Sequence, residues 1–102
     1  MRIRWTEKAS TDALAIHAYI AEQSEVYADA VYARIISRPE PQLIDYPFSG
    51  SVVPEYGNEN IREVLVHSFR IIYLVLEDEV RILTIIHGSQ LLPPDPPSST
   101  NA

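Results

Sequence analysis

The sequence predicts an α+β domain in the order β-α-α-β-β-β, with a helical hairpin packed on a twisted, mainly antiparallel sheet. Three observations carry this. Apolar residues recur at helical spacing through the first third of the chain. A stretch rich in proline, glycine, serine and asparagine follows, and after it come three short runs dense in β-branched and aromatic residues, separated by short polar breaks.

The first strand is read from Ile3 and Trp5 alternating with Arg2 and Arg4, the period of a half-buried strand. Thr6 then stands at an N-cap position with Glu7 in the first turn, where the helix dipole favours an acid. Ala9, Ala13, Ile16 and Ile20 follow at helical spacing, with Leu14 and Tyr19 widening the stripe, and predict a helix over residues 7–23. Ser24 caps a second helix whose inner face is Ala28, Val31, Tyr32, Ile35 and Ile36. Pro39 and Pro41 remove backbone donors and clash with the preceding turn, so this helix should end or kink near Ser37 or Arg38. Leu43, Tyr46 and Phe48 suggest a short continuation on the same core. Residues 47–60 read mainly as loop.

Strands are expected over residues 61–66, 69–76 and 80–87, joined at His67-Ser68 and at the acidic run Glu77-Asp78-Glu79. The last two are apolar on both faces. Two helices cover one face of the sheet, so the other is a candidate binding surface. A single domain is expected over residues 1–93, and the run Pro93-Pro94-Asp95-Pro96-Pro97 opens a flexible or extended tail over 94–102.

Composition narrows the chemistry. The chain has 102 residues, enough for a single core, and no cysteine, which removes disulfides, thiol nucleophiles and cysteine metal sites. With 8 Lys+Arg against 14 Asp+Glu, the net charge of −6 lacks the basic footprint of a nucleic-acid binder and points to protein partners. The longest apolar run, residues 71–76, is too short to span a bilayer, and the first residues hold no signal-peptide core, so the expectation is a cytoplasmic protein with no membrane contact. His17, His67 and His87 are far apart in sequence and follow no metal-ligand spacing; no metal and no cofactor are expected.

One cluster has chemical potential. A two-residue turn at His67-Ser68 puts Leu65 opposite Arg70. A turn at Glu77-Asp78 then brings Arg70 beside Ile85, with His87 diagonal to it on the same face. Glu55, in the loop before, folds over that end. Arg70, Glu55 and His87 together are the candidate catalytic set, the arginine for phosphate charge and the others for proton transfer. The same residues also admit a purely structural arrangement, with Arg70 paired to Glu63 or Glu55 and His87 capping a strand end. Trp5 reads first as sheet packing.

Trp5-Thr6-x-x-Ala9 with Asp12, Ile16 and Tyr19-Ile20-Ala21, then Pro47-x-x-Gly50 and Val53-Pro54-Glu55, then Ile61-Arg62-Glu63, Phe69-Arg70-Ile71-Ile72-Tyr73, Val80-x-Ile82-Leu83 and Ile86-His87-Gly88, resemble the RelE/ParE toxin superfamily, on its ParE side. The resemblance runs from about residue 2 to 93. It implies the toxin of a type II toxin–antitoxin module of the plasmid-stabilising kind, held in a hetero-oligomer by a ParD-like antitoxin and directed by protein contact at DNA gyrase rather than acting as an enzyme. Two alternatives stay open: the ribosome-dependent mRNA endoribonuclease activity of the RelE branch, and an attenuated toxin that only binds antitoxin. On this resemblance Arg70, His87, Ser89 and Gln90 face the target, and Trp5, Tyr19, Tyr32 and Leu74 face the antitoxin. Ser51 and Gln90 stand where many ParE-like chains carry arginine, and Pro39 and Pro41 interrupt a helix that is usually unbroken.

Overall fold

A computed structural model describes residues 1–98. The chain runs β1 (Arg2–Trp5), α1 (Glu7–Ala21), α2 (Glu25–Ser37), α3 (Pro39–Asp45), β2 (Ser51–Val52), β3 (Ile61–Val66), β4 (Phe69–Val75) and β5 (Glu79–His87). The five strands form one mixed sheet in the order β1-β5-β4-β3-β2, with β1 parallel to β5 and every other pair antiparallel. The α+β class and the order of the main elements are as the sequence predicts. No helix among the described residues is long and apolar enough to cross a membrane.

The starts of α1 and α2 are set by side-chain caps. The Thr6 hydroxyl accepts from the Ala9 amide at 3.2 Å and donates to the Ile82 carbonyl at 2.8 Å, so one buried residue starts α1 and ties it to β5. Ser24 accepts from the Tyr27 amide at 3.1 Å. The proline pair does what its chemistry requires. α2 stops at Ser37, and Pro39 takes the first position of α3, where a missing N–H costs nothing.

The main core lies between the helices and the near face of the sheet: Ala9, Ala13, Val31, Ile35 and Leu43 against Ile71, Tyr73, Val75, Val80, Ile82 and Ile85. Trp5 and Tyr32 pack at its margin, half-buried. Two residues expected in the stripe of α1 are not there: Leu14 and Tyr19 are exposed, Tyr19 to 75%. With 3.6 residues per turn, Ala9, Ala13, Ile16 and Ile20 already fill the narrow inward arc, and positions 14 and 19 fall outside it.

A smaller cluster occupies the far face, with Val53, Ile61 and Ile72 buried and Tyr56, Leu74 and Leu92 packed on them. The loop before β3 is therefore not free chain. It contributes the two-residue edge strand β2 and then folds across the far face. Gly50 is required at the start of β2, because a Cβ there would lie 2.4 Å from the Tyr73 hydroxyl and 2.5 Å from the Glu63 carbonyl.

Candidate functional site

Two groups of candidate residues lie on opposite faces of the sheet. The reason is one extra residue in β5. From the Glu77-Asp78 turn the ladder runs Val75↔Val80, Leu74↔Arg81 and Tyr73↔Ile82, and then shifts to Ile72↔Thr84, Ile71↔Ile85, Arg70↔Ile86 and Phe69↔His87. A bulge of this kind moves the pairing by one, and one step in a strand reverses which face a side chain takes. Arg70 is thus opposite Ile86 rather than Ile85. His87 shares its face with Phe69, against whose ring it sits edge-on at 5.5 Å, and not with Arg70. The expected Arg70–Glu55–His87 cluster is corrected accordingly: Arg70 and Glu55 meet, and His87 is on the other side.

The bulge has a cause in the helix. Asp12 of α1 accepts hydrogen bonds from the Thr84 hydroxyl and, at 3.1 Å, from the Ile85 amide, just where the register changes. Lys8, one turn earlier, pairs with the same carboxylate at 3.2 Å. The sequence signal was a lone threonine within an apolar strand and an aspartate on the inward side of α1, two features that acquire meaning only in contact.

On the far face, Arg70 is closed on two carboxylates. Its Nε and Nη2 donate to the two oxygens of Glu63 at 2.8 Å each, and its Nη1 and Nη2 donate to Glu55 at 2.8 and 2.9 Å. The Arg70 and Glu63 side chains are each only 12% exposed. The Arg70 bonds hold the Glu55 carboxyl down to about 2, and the two carboxylates push the guanidinium still higher than its ordinary value. A carboxylate with so low a pKa is a poor proton acceptor near neutrality, and a guanidinium filled by two forks has little left for a phosphate. Leu74, two positions along the same face of β4, packs under Tyr56 and Leu92.

On the near face the end of β5 is organised by its own turn. The Gln90 side-chain oxygen accepts from the His87 amide at 2.8 Å, the Gln90 amide donates to the His87 carbonyl at 3.0 Å, and the Ser89 amide donates to His87 Nδ1 at 3.1 Å. His87, Ser89 and Gln90 therefore come together as expected, without Arg70. Beside them, between α1 and the ends of β4 and β5, lies a groove of about 660 Å³. Asp12 and Ile16 form part of its wall, Phe69 and His87 another, and Tyr19 and Tyr27 stand exposed at its lip. Tyr19, expected to face an antitoxin, and His87 and Gln90, expected to face a target, line the same groove. Tyr27, read from the sequence with Tyr19 and Tyr32 as helix surface, and Phe69, a residue of the β4 motif, complete the groove.

The model of a family described as the ParE toxin of type II toxin-antitoxin system, parDE, matches residues 3–92. The chain belongs to that family. Membership implies an antitoxin partner. Among solved structures, a chain from the "Chromosomal ParDE TA system from P. aeruginosa" is similar over 85% of this chain and 95% of that one, with a TM-score of 0.70 and 23% sequence identity, a likeness of fold. No match is found among curated proteins. In this ParE-family chain the position after the loop glycine, Ser51, lies in β2 opposite Glu63. Gln90 spends its side-chain oxygen on the His87 amide.

Proposed function

We propose that this ParE-family chain acts by protein–protein contact, with DNA gyrase as its target, and that a ParD-like antitoxin neutralises it by occupying the groove between α1 and the ends of β4 and β5. The observation that carries this reading is the closure of Arg70 on Glu55 and Glu63. It takes the arginine and the glutamate out of service for phosphodiester chemistry, while the sheet separates both from His87. The endoribonuclease alternative loses Glu55 and its phosphate-binding group together, and His87 stands apart from both.

The groove supports the contact reading in its own right. Exposed tyrosines beside an apolar floor of Ile16 and Phe69 suit a partner helix or extended segment, since tyrosine contributes large contact area with little rotamer entropy lost. Because Tyr19 shares the groove with His87 and Gln90, an antitoxin segment seated there covers the proposed target-facing residues. Neutralisation then needs no conformational change in the toxin. Trp5 and Tyr32 sit half-buried at the margin of the main core, outside the lining of this groove.

The test is growth and plasmid supercoiling after induction of the chain with and without a candidate antitoxin. Arrest with relaxed plasmid, reversed by the antitoxin, is the expected result. Arrest with normal supercoiling and cut transcripts would return the case to ribosome-dependent cleavage. Absence of arrest, with a stable complex, would leave a chain that only binds antitoxin.

A further inference from the structure

The far face of the sheet carries a device that the groove reading does not use. Residues 92–95 leave β5, cross to the far face and end on Tyr56. Leu92 packs with Tyr56 and Leu74 on Val53, Ile61 and Ile72, and the Tyr56 hydroxyl meets the Pro93 carbonyl at 2.9 Å and the Asp95 carbonyl at 3.4 Å. Burial in this contact pushes the Tyr56 phenol up. The start of the segment read from the sequence as a flexible or extended tail thus meets Tyr56 as far as Asp95; residues 99–102 lie outside the described residues.

Tyr56 sits next to Glu55 in a turn closed by the Tyr56 and Gly57 amides on the Val53 carbonyl, each at 3.1 Å. The neighbouring residues hold different things: Glu55 holds Arg70, and Tyr56 holds the strap. The loop is therefore fastened at one point from within the sheet and at the next from the C-terminal segment. The fastening from the segment is slight. Over residues 92–95 it rests on the Leu92 side chain and the Tyr56 hydroxyl, and the residue that leads into it, Leu91, is 95% exposed. Contacts of that size open locally without unfolding the sheet beneath.

We propose that residues 92–95 form a releasable strap: latched, it holds the 53–60 loop across the far face and keeps Glu55 on Arg70; released, it lets that loop lift and leaves Arg70 held by Glu63 alone. The segment suits the role chemically. A leucine supplies the anchor, and the prolines after it stiffen the chain and present carbonyls without competing N–H donors. The strap itself is a property of the free chain and can be tested without any partner.

The experiment is hydrogen exchange by mass spectrometry on the full chain and its full-length variants Tyr56→Phe and Leu92→Ser, with labelling of Arg70 by an arginine-selective dicarbonyl mapped in parallel. Loss of the hydroxyl bond should speed exchange in residues 53–60 about fivefold, and loss of the leucine anchor about tenfold, with Arg70 labelling rising in step and β3–β5 amides unchanged. Adding a synthetic peptide of residues 91–98 to Leu92→Ser should restore protection. Unchanged exchange and labelling in Tyr56→Phe would overturn the proposal, and this variant keeps the test decisive if Leu92→Ser unfolds. Failure of the wild-type chain to inhibit gyrase, with strap behaviour as described, would remove the gyrase reading and leave the strap.

Discussion

The two faces of the sheet are built from the same strands yet carry different kinds of structure. The near face is buried under three helices and holds the large apolar core. The far face carries a small buried cluster of Val53, Ile61 and Ile72, the Leu92 segment packed on it and a charged clamp. Adjacent residues of β4 make the contrast sharp: Ile71 and Ile72 are both fully buried, one against the helices and the other under a loop and a C-terminal segment. Burial alone does not say how much a side chain contributes. What covers it, and how easily the cover lifts, decides whether a face serves stability or access.

The largest test of this contrast is therefore a matched pair. Ile71→Ala should destabilise the fold by about 4 kcal/mol, because the helices hold the cavity open; Ile72→Ala should cost about 2 kcal/mol, because loop and strap can collapse onto it. Urea denaturation at neutral pH measures both, and equal losses would erase the distinction between the faces. Next in size is Gly50→Ala, where the new Cβ meets the Tyr73 hydroxyl and the Glu63 carbonyl; about 3 kcal/mol at most is expected, read from the same unfolding curves.

The clamp is expected to be worth less. Glu55 has its folded pKa held at about 2, below the ordinary 4.5, so its contribution is fully present above pH 4.5 and is lost as pH falls toward 2. The carboxylate is 41% exposed, so solvent screening limits the effect to roughly 1 kcal/mol or less. Unfolding free energies of the wild type and Glu55→Gln should differ at pH 7 and converge by pH 2; a gap that persists at low pH would mean that the carboxylate charge is not the source. Smallest in stability is Tyr19→Ala, expected within about 0.5 kcal/mol of wild type since the side chain is 75% exposed. Its effect belongs to binding, where antitoxin affinity measured by calorimetry should fall at least about tenfold if Tyr19 is a central aromatic contact.

The elements were legible in the sequence because their signals are local. Thr6 and Ser24 announce the helix starts, Pro39 fixes the break after Ser37, and the β3–β4 turn at His67-Ser68 gives the pairing of Leu65 with Arg70 directly. His67 even adopts a positive φ of 55° at a position where glycine is the usual occupant, which is why the turn lacks its ordinary signature. The candidate site was legible only in part. That Glu55 reaches Arg70 followed from a loop leading into a hairpin. The face of His87 did not, because it depends on a bulge held by Asp12 from 72 residues away in sequence, and no periodicity in β5 marks it. The strap was missed for a related reason: a proline-rich end looks the same whether or not a tyrosine elsewhere receives it.

The most direct test of the central claim is a supercoiling assay with purified DNA gyrase and the purified chain, comparing wild type, His87→Ala and Arg70→Lys. Inhibition by wild type, retained in Arg70→Lys and reduced at least about tenfold in His87→Ala, is the expected result, since the near-face groove makes the contact and the far-face arginine is committed to the clamp. No inhibition of gyrase by wild type, together with transcript cleavage on ribosomes that disappears in Arg70→Lys, would contradict it.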